Sequence, residues 1–302
     1  MGTSKPLKFF AVVSILVAFL VLGLKYWAYH VTGSIALYSD SLESIINVIA
    51  ALAAFITIHI SMKPADHDHP FGHHKAEYFS AVLEGVLIII AAVLILKQAW
   101  FGLNEPKMPE QSLLGVFINV ISSLINGIWA LVLLRQGKRS RSPALQADGA
   151  HLFADGFTSV AVVIGLCLVY STGWAILDPL IAFFVAFNIL WQGWKVINTS
   201  VQGLMDVGVD LEESVRIRDA ICSNARGALE VHDLKTRLAA SIVFIEFDLV
   251  VRSDMTVADA HAICDNIEVA IKKIIPTARI TIHLEPANEA KLPVGSISVP
   301  FA

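Results

Sequence analysis

A chain of 302 residues with 56% hydrophobic and only 16% charged side chains, and a mean hydropathy of +0.67, is too apolar for an ordinary soluble domain and reads as an integral membrane protein. A net charge of −4 gives no sign of nucleic-acid binding. Three scattered cysteines, Cys167, Cys222 and Cys264, exclude a disulfide framework and read as ordinary buried thiols.

A helix needs about 20 apolar residues to cross the hydrocarbon core. Six runs are expected to do so: 9–29, 35–60, 79–96, 113–134, 144–170 and 174–197. The first is long and is followed by no small-residue cleavage site, so no cleavable signal peptide is expected. The fourth, LLGVFINVISSLINGIWALVLL, contains no charge. With the N-terminus inside, Lys5, Lys8, Lys63, Lys75, Arg135, Lys138, Arg139 and Arg141 flank the cytoplasmic face. The other side holds Lys107, with Lys25 and Lys97 if helix ends are counted. Basic residues in short loops favour the cytoplasm, so both termini are placed there.

Beyond Met205 the composition changes. DLEESVRIRDAICSNA has the spacing of an amphipathic helix. EVHDLKTRLA and SIVFIEFDLVV read as strands, the second with Ile245, Phe247 and Leu249 alternating against Phe244, Glu246 and Asp248. TVADAHAICDNIEVAIKKII begins on a Thr cap and ends in lysines, as a helix does. ARITIHLEP closes as a strand. The expected organisation is a six-helix membrane domain over 1–204, a small α+β domain in the order α-β-β-α-β over 205–286, and a flexible tail over 287–302.

The second and fifth runs carry the chemistry. DSLESIIN supplies Asp40, Glu43 and Asn47; DGAHLFAD supplies Asp148, His151 and Asp155. Both sets fall at i, i+3 and i+7, on one face of a helix. Asp40, Glu43, Asp148 and Asp155 would together cost on the order of 10 kcal/mol if all faced lipid. They must face one another, water or an ion. Glu43, Asn47, His151 and Asp155 offer three oxygen groups and one imidazole, a set suited to a divalent transition metal whose charge two carboxylates would neutralise. A polar cluster that only glues helices together is the plain alternative. Structure alone, however, requires no repeated spacing. Asp40 and Asp148 read as supporting or gateway residues one turn away.

Between the second and third runs lies KPADHDHPFGHHKAE. Four of the ten histidines, His67, His69, His73 and His74, fall within it, interleaved with Asp66 and Asp68. Asp66, His69 and His73 can converge on one metal if the loop turns back at Pro70–Gly72.

With these motifs in hand the chain resembles the cation diffusion facilitator family, in particular its bacterial zinc and ferrous-iron efflux branch. The resemblance runs from about Phe9 to Glu285 and rests on HLFAD, PADHDHPFGHHKAE and VHDLKTR. It implies a proton-coupled exporter with six spanning helices and a ferredoxin-like cytoplasmic domain, working as a homodimer. It assigns His151 and Asp155 to the transport site, with Glu43 and Asn47 as the other pair. Relatives usually have Asp or His, then Asp, at those two positions, so this sequence departs at both. Asp66, His69 and His73 match a loop site at the membrane surface. His232, His261 and His283 match a binuclear site at the dimer interface; Asp248 stands where some relatives have His, and Glu285 where some have Asp. Lys75 and Asp206 match a charged interlock at the dimer's membrane surface.

The function expected is secondary transport: metal binds Glu43, Asn47, His151 and Asp155 from the cytoplasm, the helices rearrange, and protons competing for His151 and the carboxylates release it. Zinc is the first candidate cargo and structural ligand, with iron, cobalt, cadmium and manganese also admitted. The expected partners are the bilayer, metal ions, protons and a second copy of the chain, with no nucleic acid, in a bacterial inner membrane. A membrane metalloenzyme is the rival, but no H-E-x-x-H is present. A metal sensor using only the loop and cytoplasmic domain leaves the intramembrane repeat unexplained.

Overall fold

The computed structural model describes residues 4–32, 35–104, 113–174 and 176–290, without the side chains of 4–6, 28, 31–32, 35–43, 98, 113–116 and 178 and of parts of the fifth helix. The chain forms two compact units, 1–201 and 202–302.

The first unit holds six long helices: α1 (Ser4–Thr32), α2 (Ile35–Ser61), α3 (Ala76–Asn104), α4 (Leu113–Ser140), α5 (Pro143–Thr172) and α6 (Leu177–Leu204). Among the described residues, α1, α2, α3, α4 and α6 are each long and apolar enough to cross a membrane. α5 has the length, at 30 residues, but carries Asp148, His151 and Asp155 in its first half. The bundle is apolar on the outside as well as within. Phe184 is 73% exposed and Trp191 68%, an arrangement suited to lipid and costly in water.

α1 packs on α2 and α4, α4 on α5, and α3 on α2 and α5. α3 and α6 approach closely at Gly85 and Gly193: a Cβ on Gly85 would lie 3.2 Å from the Gly193 carbonyl, and one on Gly193 3.1 Å from that of Gly85. Small residues permit such contact where no hydrophobic effect drives helices together. Beside it, Ile88 and Ala92 of α3, Ala154 of α5, and Val185 and Ile189 of α6 form one apolar cluster.

Glu77 ties three helices at their ends. Its carboxylate accepts from Ser61 Oγ of α2 at 2.9 Å, from Ser142 Oγ, and from the backbone N–H of Ala144 in the first turn of α5. An anion there also suits the positive end of a helix dipole.

The second unit has α7 (Leu211–Asn224), β1 (Ala228–Ala239), β2 (Ile242–Val251), α8 (Val257–Ile274) and β3 (Ala278–Pro286), the α-β-β-α-β order expected. Asp210 and Thr256 cap α7 and α8 by accepting from Glu213 N and Asp259 N. The sheet order is β1-β2-β3, antiparallel between β1 and β2 and parallel between β2 and β3. Ile217 and Ile221 of α7 and Ile263, Ile267 and Ile271 of α8 share one core with Val231, Val243, Ile245, Phe247 and Leu249. Both helices therefore cover the same sheet face. On the other face Phe244 is shielded by Arg237, whose guanidinium lies 4.2 Å from the ring centre. The expected tail begins with a 3₁₀ turn, Ala287–Glu289; residues 291–302 lie outside the described part.

Candidate functional site

The intramembrane groups meet where α2 crosses α5. Asn47 and His151 are buried, at 5% and 4% exposure. Asn47 Nδ2 donates to Asp155 Oδ2 at 2.7 Å, and Asn47 Oδ1 lies 2.9 Å from His151 Nε2. A carboxylate only accepts, so the Asn47 amide nitrogen belongs beside Asp155 and its oxygen beside His151. That places a proton on His151 Nε2. His151 Nδ1 is buried with no hydrogen-bond partner. The Glu43 and Asp40 side chains lie outside the described residues; Glu43 is one turn before Asn47 on α2.

His151 and Asp155 also border a small cavity lined by Ile88, Ala91 and Ile95 of α3, Ala154 of α5 and Ile189 of α6. The polar network thus has an apolar wall on one side. Asp148 faces elsewhere. It accepts from Ser14 Oγ of α1 at 2.7 Å, and Ser14 Oγ accepts from Trp129 Nε1 of α4 at 2.9 Å. Neither Ser14 nor Trp129 stood out in the sequence, because serine and tryptophan are ordinary in spanning helices.

In the histidine-rich loop Asp66, His69 and His73 bring ligand atoms within 4.8 Å of one another. Asp66 Oδ1 lies 3.2 Å from His69 Nδ1, and Asp66 Oδ2 lies 3.4 Å from His73 Nε2. The backbone N–H of His69 donates to Asp66 Oδ1 at 2.8 Å and, as the main cause, holds the Asp66 carboxyl below the usual carboxylate range. The turn closes through Gly72 N to His69 O at 2.9 Å. Gly72 has φ +87°, and a Cβ there would sit 3.1 Å from the His74 ring. His67 stands apart beside Asp68.

In the second unit, strand register makes the cluster. His232 pairs with Asp248 across β1 and β2, and Asp248 with His283 across β2 and β3. All three project from the face that the helices leave free. His232 is 2% exposed and neither ring nitrogen makes a well-formed hydrogen bond. Carboxylate oxygens nonetheless surround it: Glu285 at 3.2 Å, Glu230 at 3.4 Å and Asp248 at 3.6 Å. His283 Nδ1 lies 3.5 Å from Asp248 and 3.6 Å from Glu285. Three acids converging on two imidazoles call for a cation, and this donor set fits a divalent metal. Asp233 joins His232 and Asp248 at ligand distance and was not expected. A bulge between His232 and Lys235, with Asp233 at φ +52°, turns it there. His261 is not gathered in: it lies on α8, 72% exposed, 3.7 Å from Asp265. Asp206 sits 3.4 Å from Arg237 Nη1, and Lys75 lies in the turn before α3.

Two family descriptions divide the chain between them: the cation efflux transmembrane domain matches residues 11–205, and the cation efflux protein cytoplasmic domain matches residues 209–287. The chain belongs to the cation diffusion facilitator family. An uncharacterised transporter of Synechocystis sp. is 41% identical over 96% of this chain and 93% of its own length. The cation-efflux pump FieF of Shewanella oneidensis is 30% identical over 91% and 92%, and that of Escherichia coli 27% over 92% of each. The solved structure of CzrB in its Zn form is 49% identical over 28% of this chain and 97% of its own, with a TM-score of 0.27. As a member of the family this chain is an integral membrane protein and a transporter, exporting divalent metal cations.

Proposed function

We propose that the protein is a proton-coupled antiporter for divalent transition metals, zinc first, whose transport site is Glu43, Asn47, His151 and Asp155. The observation that carries this reading is the Asn47 amide bridging His151 and Asp155 inside the membrane. In that arrangement Asn47 Nδ2 and Oδ1, Asp155 Oδ2 and His151 Nε2 are taken up by one another. A cation entering must break both hydrogen bonds and take the Asp155 oxygen, the Asn47 carbonyl oxygen and an imidazole nitrogen. His151 Nε2 becomes a ligand once its proton has moved to Nδ1, which is buried without a partner, so the ring binds as a neutral imidazole. Metal requires neutral His151 and ionised acids, so a proton on the ring or on a carboxylate competes with metal and ejects it. Glu43 brings the second carboxylate, so a 2+ ion is neutralised. The cavity along α3 and α6 gives the site a face toward helices that can move against α5.

Asp66, His69 and His73 form a second site that modulates transport from the membrane surface. His232, Asp248, His283 and Glu285 form a third, with His261 left to a site completed in the homodimer. Metal there tightens the dimer by its preference for one state over the other. Lys75 and Asp206 lock the dimer at the membrane surface. The protein sits in a bacterial inner membrane with both termini in the cytoplasm, in keeping with the bacterial relatives and the basic flanks.

The test is flux of zinc, iron(II), cobalt, cadmium and manganese into proteoliposomes under an imposed pH gradient. Metal uptake that follows the gradient and collapses with an ionophore is expected. Flux indifferent to the gradient, or hydrolysis of a peptide substrate without flux, would replace this reading.

A further inference from the structure

The transport network leaves one intramembrane acid unused. Glu84 lies within α3, at 0% exposure, and neither of its carboxyl oxygens has a hydrogen-bond partner among the described residues. A bare carboxylate with no donor is among the least tenable states for a side chain in a helix bundle. Glu84 also lies one turn before Ile88, which borders the cavity at His151 and Asp155. Across the gap, Asp148 of α5 is 2% exposed and close enough for its charge to act on Glu84. Asp148 precedes His151 by one helical turn. Its Oδ2 is held as an acceptor by the Ser14 hydroxyl, whose oxygen is itself engaged by Trp129.

We propose that Glu84 and Asp148 form a proton-binding pair, separate from the metal ligands, which holds one proton while the transport site is empty and gives it up when a divalent cation binds there. The proposal rests on His151 and Asp155 being the transport site.

The chemistry favours a proton over a second metal. A transition metal takes about four donors, and among the described residues no third Asp, Glu, His or Cys converges on this pair at ligand distance. One proton suffices for two buried acids whose charges oppose each other. Asp148, already accepting from Ser14, is the carboxylate; Glu84, with no donor, is the acid. The charged surroundings are few. Among the described residues Asp148 is the one charged group acting on Glu84; the side chains of Asp40 and Glu43 on α2 and of Asp178 on α6 lie outside the described part. On α3 itself, Glu77 is two turns away and held by Ser61 and Ser142. Asp148 feels His151 on its own helix, while α1 and α4 bring it only the neutral Ser14 and Trp129.

A 2+ ion at His151 lies roughly one turn, about 5 Å, from this pair along α5. In a low-dielectric interior its field strongly favours the doubly ionised pair. Loading then converts the Glu84 acid to a carboxylate and delivers one proton to water. Unloading reverses it. The exchange adds a proton to those displaced from the ligands, without adding a ligand.

The experiment titrates purified full-length protein with zinc in weakly buffered detergent solution, following an indicator dye and calorimetry together. Wild type, His151→Ala and Glu84→Gln are compared, and the release depending on His151 is the wild-type value less that of His151→Ala. Glu84→Gln is expected to keep zinc affinity within about threefold while releasing about one proton fewer per zinc. Undiminished release overturns the pair. Loss of zinc binding also overturns it, by making Glu84 a ligand. A His151→Ala protein that binds as much zinc as wild type overturns the transport site instead, so the two failures are told apart. Should Glu84→Gln not fold, infrared difference spectra of the wild type decide: zinc is expected to remove a protonated-carboxyl band, and its absence overturns the proposal.

Discussion

Asn47 Oδ1 stands 2.9 Å from His151 Nε2, and because the same amide donates to Asp155, this contact fixes which imidazole nitrogen carries a proton. The proposed ligands Asn47, His151 and Asp155 are therefore hydrogen-bonded to one another. Replacing His151 by Ala removes the nitrogen that metal and proton contest. Even partners that merely orient a ligand are worth 10–100-fold in metal affinity, so the loss of a ligand is expected to weaken zinc binding at least ~10-fold. The pH dependence of transport between 6 and 8 should flatten. A His151→Ala protein transporting zinc with the wild-type pH profile would contradict the assignment.

The loop site has its own pH logic. The His69 backbone N–H lowers the Asp66 carboxyl. A depressed acid contributes above its unfolded value and is lost only as pH falls through its folded one. Between pH 7 and 5 Asp66 stays ionised, while imidazoles as a class titrate near 6.5. Asp66→Asn is thus expected to lower loop affinity by a roughly constant factor, on the order of tenfold, across that range. His73→Ala should remove much of the pH dependence. The triple alanine variant of Asp66, His69 and His73 should keep some flux. Calorimetry checks the first two, vesicle flux the third; complete loss of flux in a folded triple variant would put the loop on the obligatory path.

Glu77 is a structural clasp. Its carboxylate joins Ser61 of α2 to Ser142 and the start of α5. Truncation to Ala leaves buried donors unpaired, at about 1–3 kcal/mol. Glu77→Gln keeps the shape but turns an acceptor into a donor facing donors. Both variants should lower the thermal midpoint in detergent, Ala more than Ser142→Ala does. Equal midpoints for all three and the wild type would remove the clasp.

What could be read from the sequence follows from which forces act locally. The small domain was legible strand by strand because Ile245, Phe247 and Leu249 alternate with Glu246 and Asp248, and Thr256 caps α8. The spanning runs were placed, yet the helices outlast them: α6 continues through NTSVQG to Leu204. Apolar composition marks the hydrocarbon, while helix continues beyond it. The repeated triad pointed to Asn47, His151 and Asp155, but the same search passed over Glu84, a lone acid in AVLEGVLIII with no repeated partner. The cost of an intramembrane charge was the signal that could have found it. Asp233 was hidden for another reason. Its place depends on a bulge that period-two reading does not anticipate.

The residue that most marks the proposed transport site is Asn47, whose amide is inserted between an imidazole and a carboxylate. Asn offers a neutral carbonyl oxygen, a weaker ligand for a 2+ ion than a carboxylate. It also stabilises the empty site, since it gives Asp155 a donor and His151 an acceptor. Both effects lower metal affinity. Glu43, one methylene longer than Asp, loosens the geometry further, so selectivity should be broad. In Asn47→Asp the amide donor is lost, and two carboxylates face each other where Asn47 Nδ2 now lies 2.7 Å from Asp155. The empty site becomes less favourable and the loaded one more so. Zinc should bind roughly tenfold tighter or more, with a steeper pH dependence because one more titratable group competes with metal for protons. Asn47→Ala should loosen binding and leave Asp155 without that donor. If Asn47 only bridges helices, neither substitution will change the affinity or the ranking of zinc, iron(II), cobalt and cadmium. Calorimetry on both variants, with the loop and cytoplasmic ligands replaced, decides it.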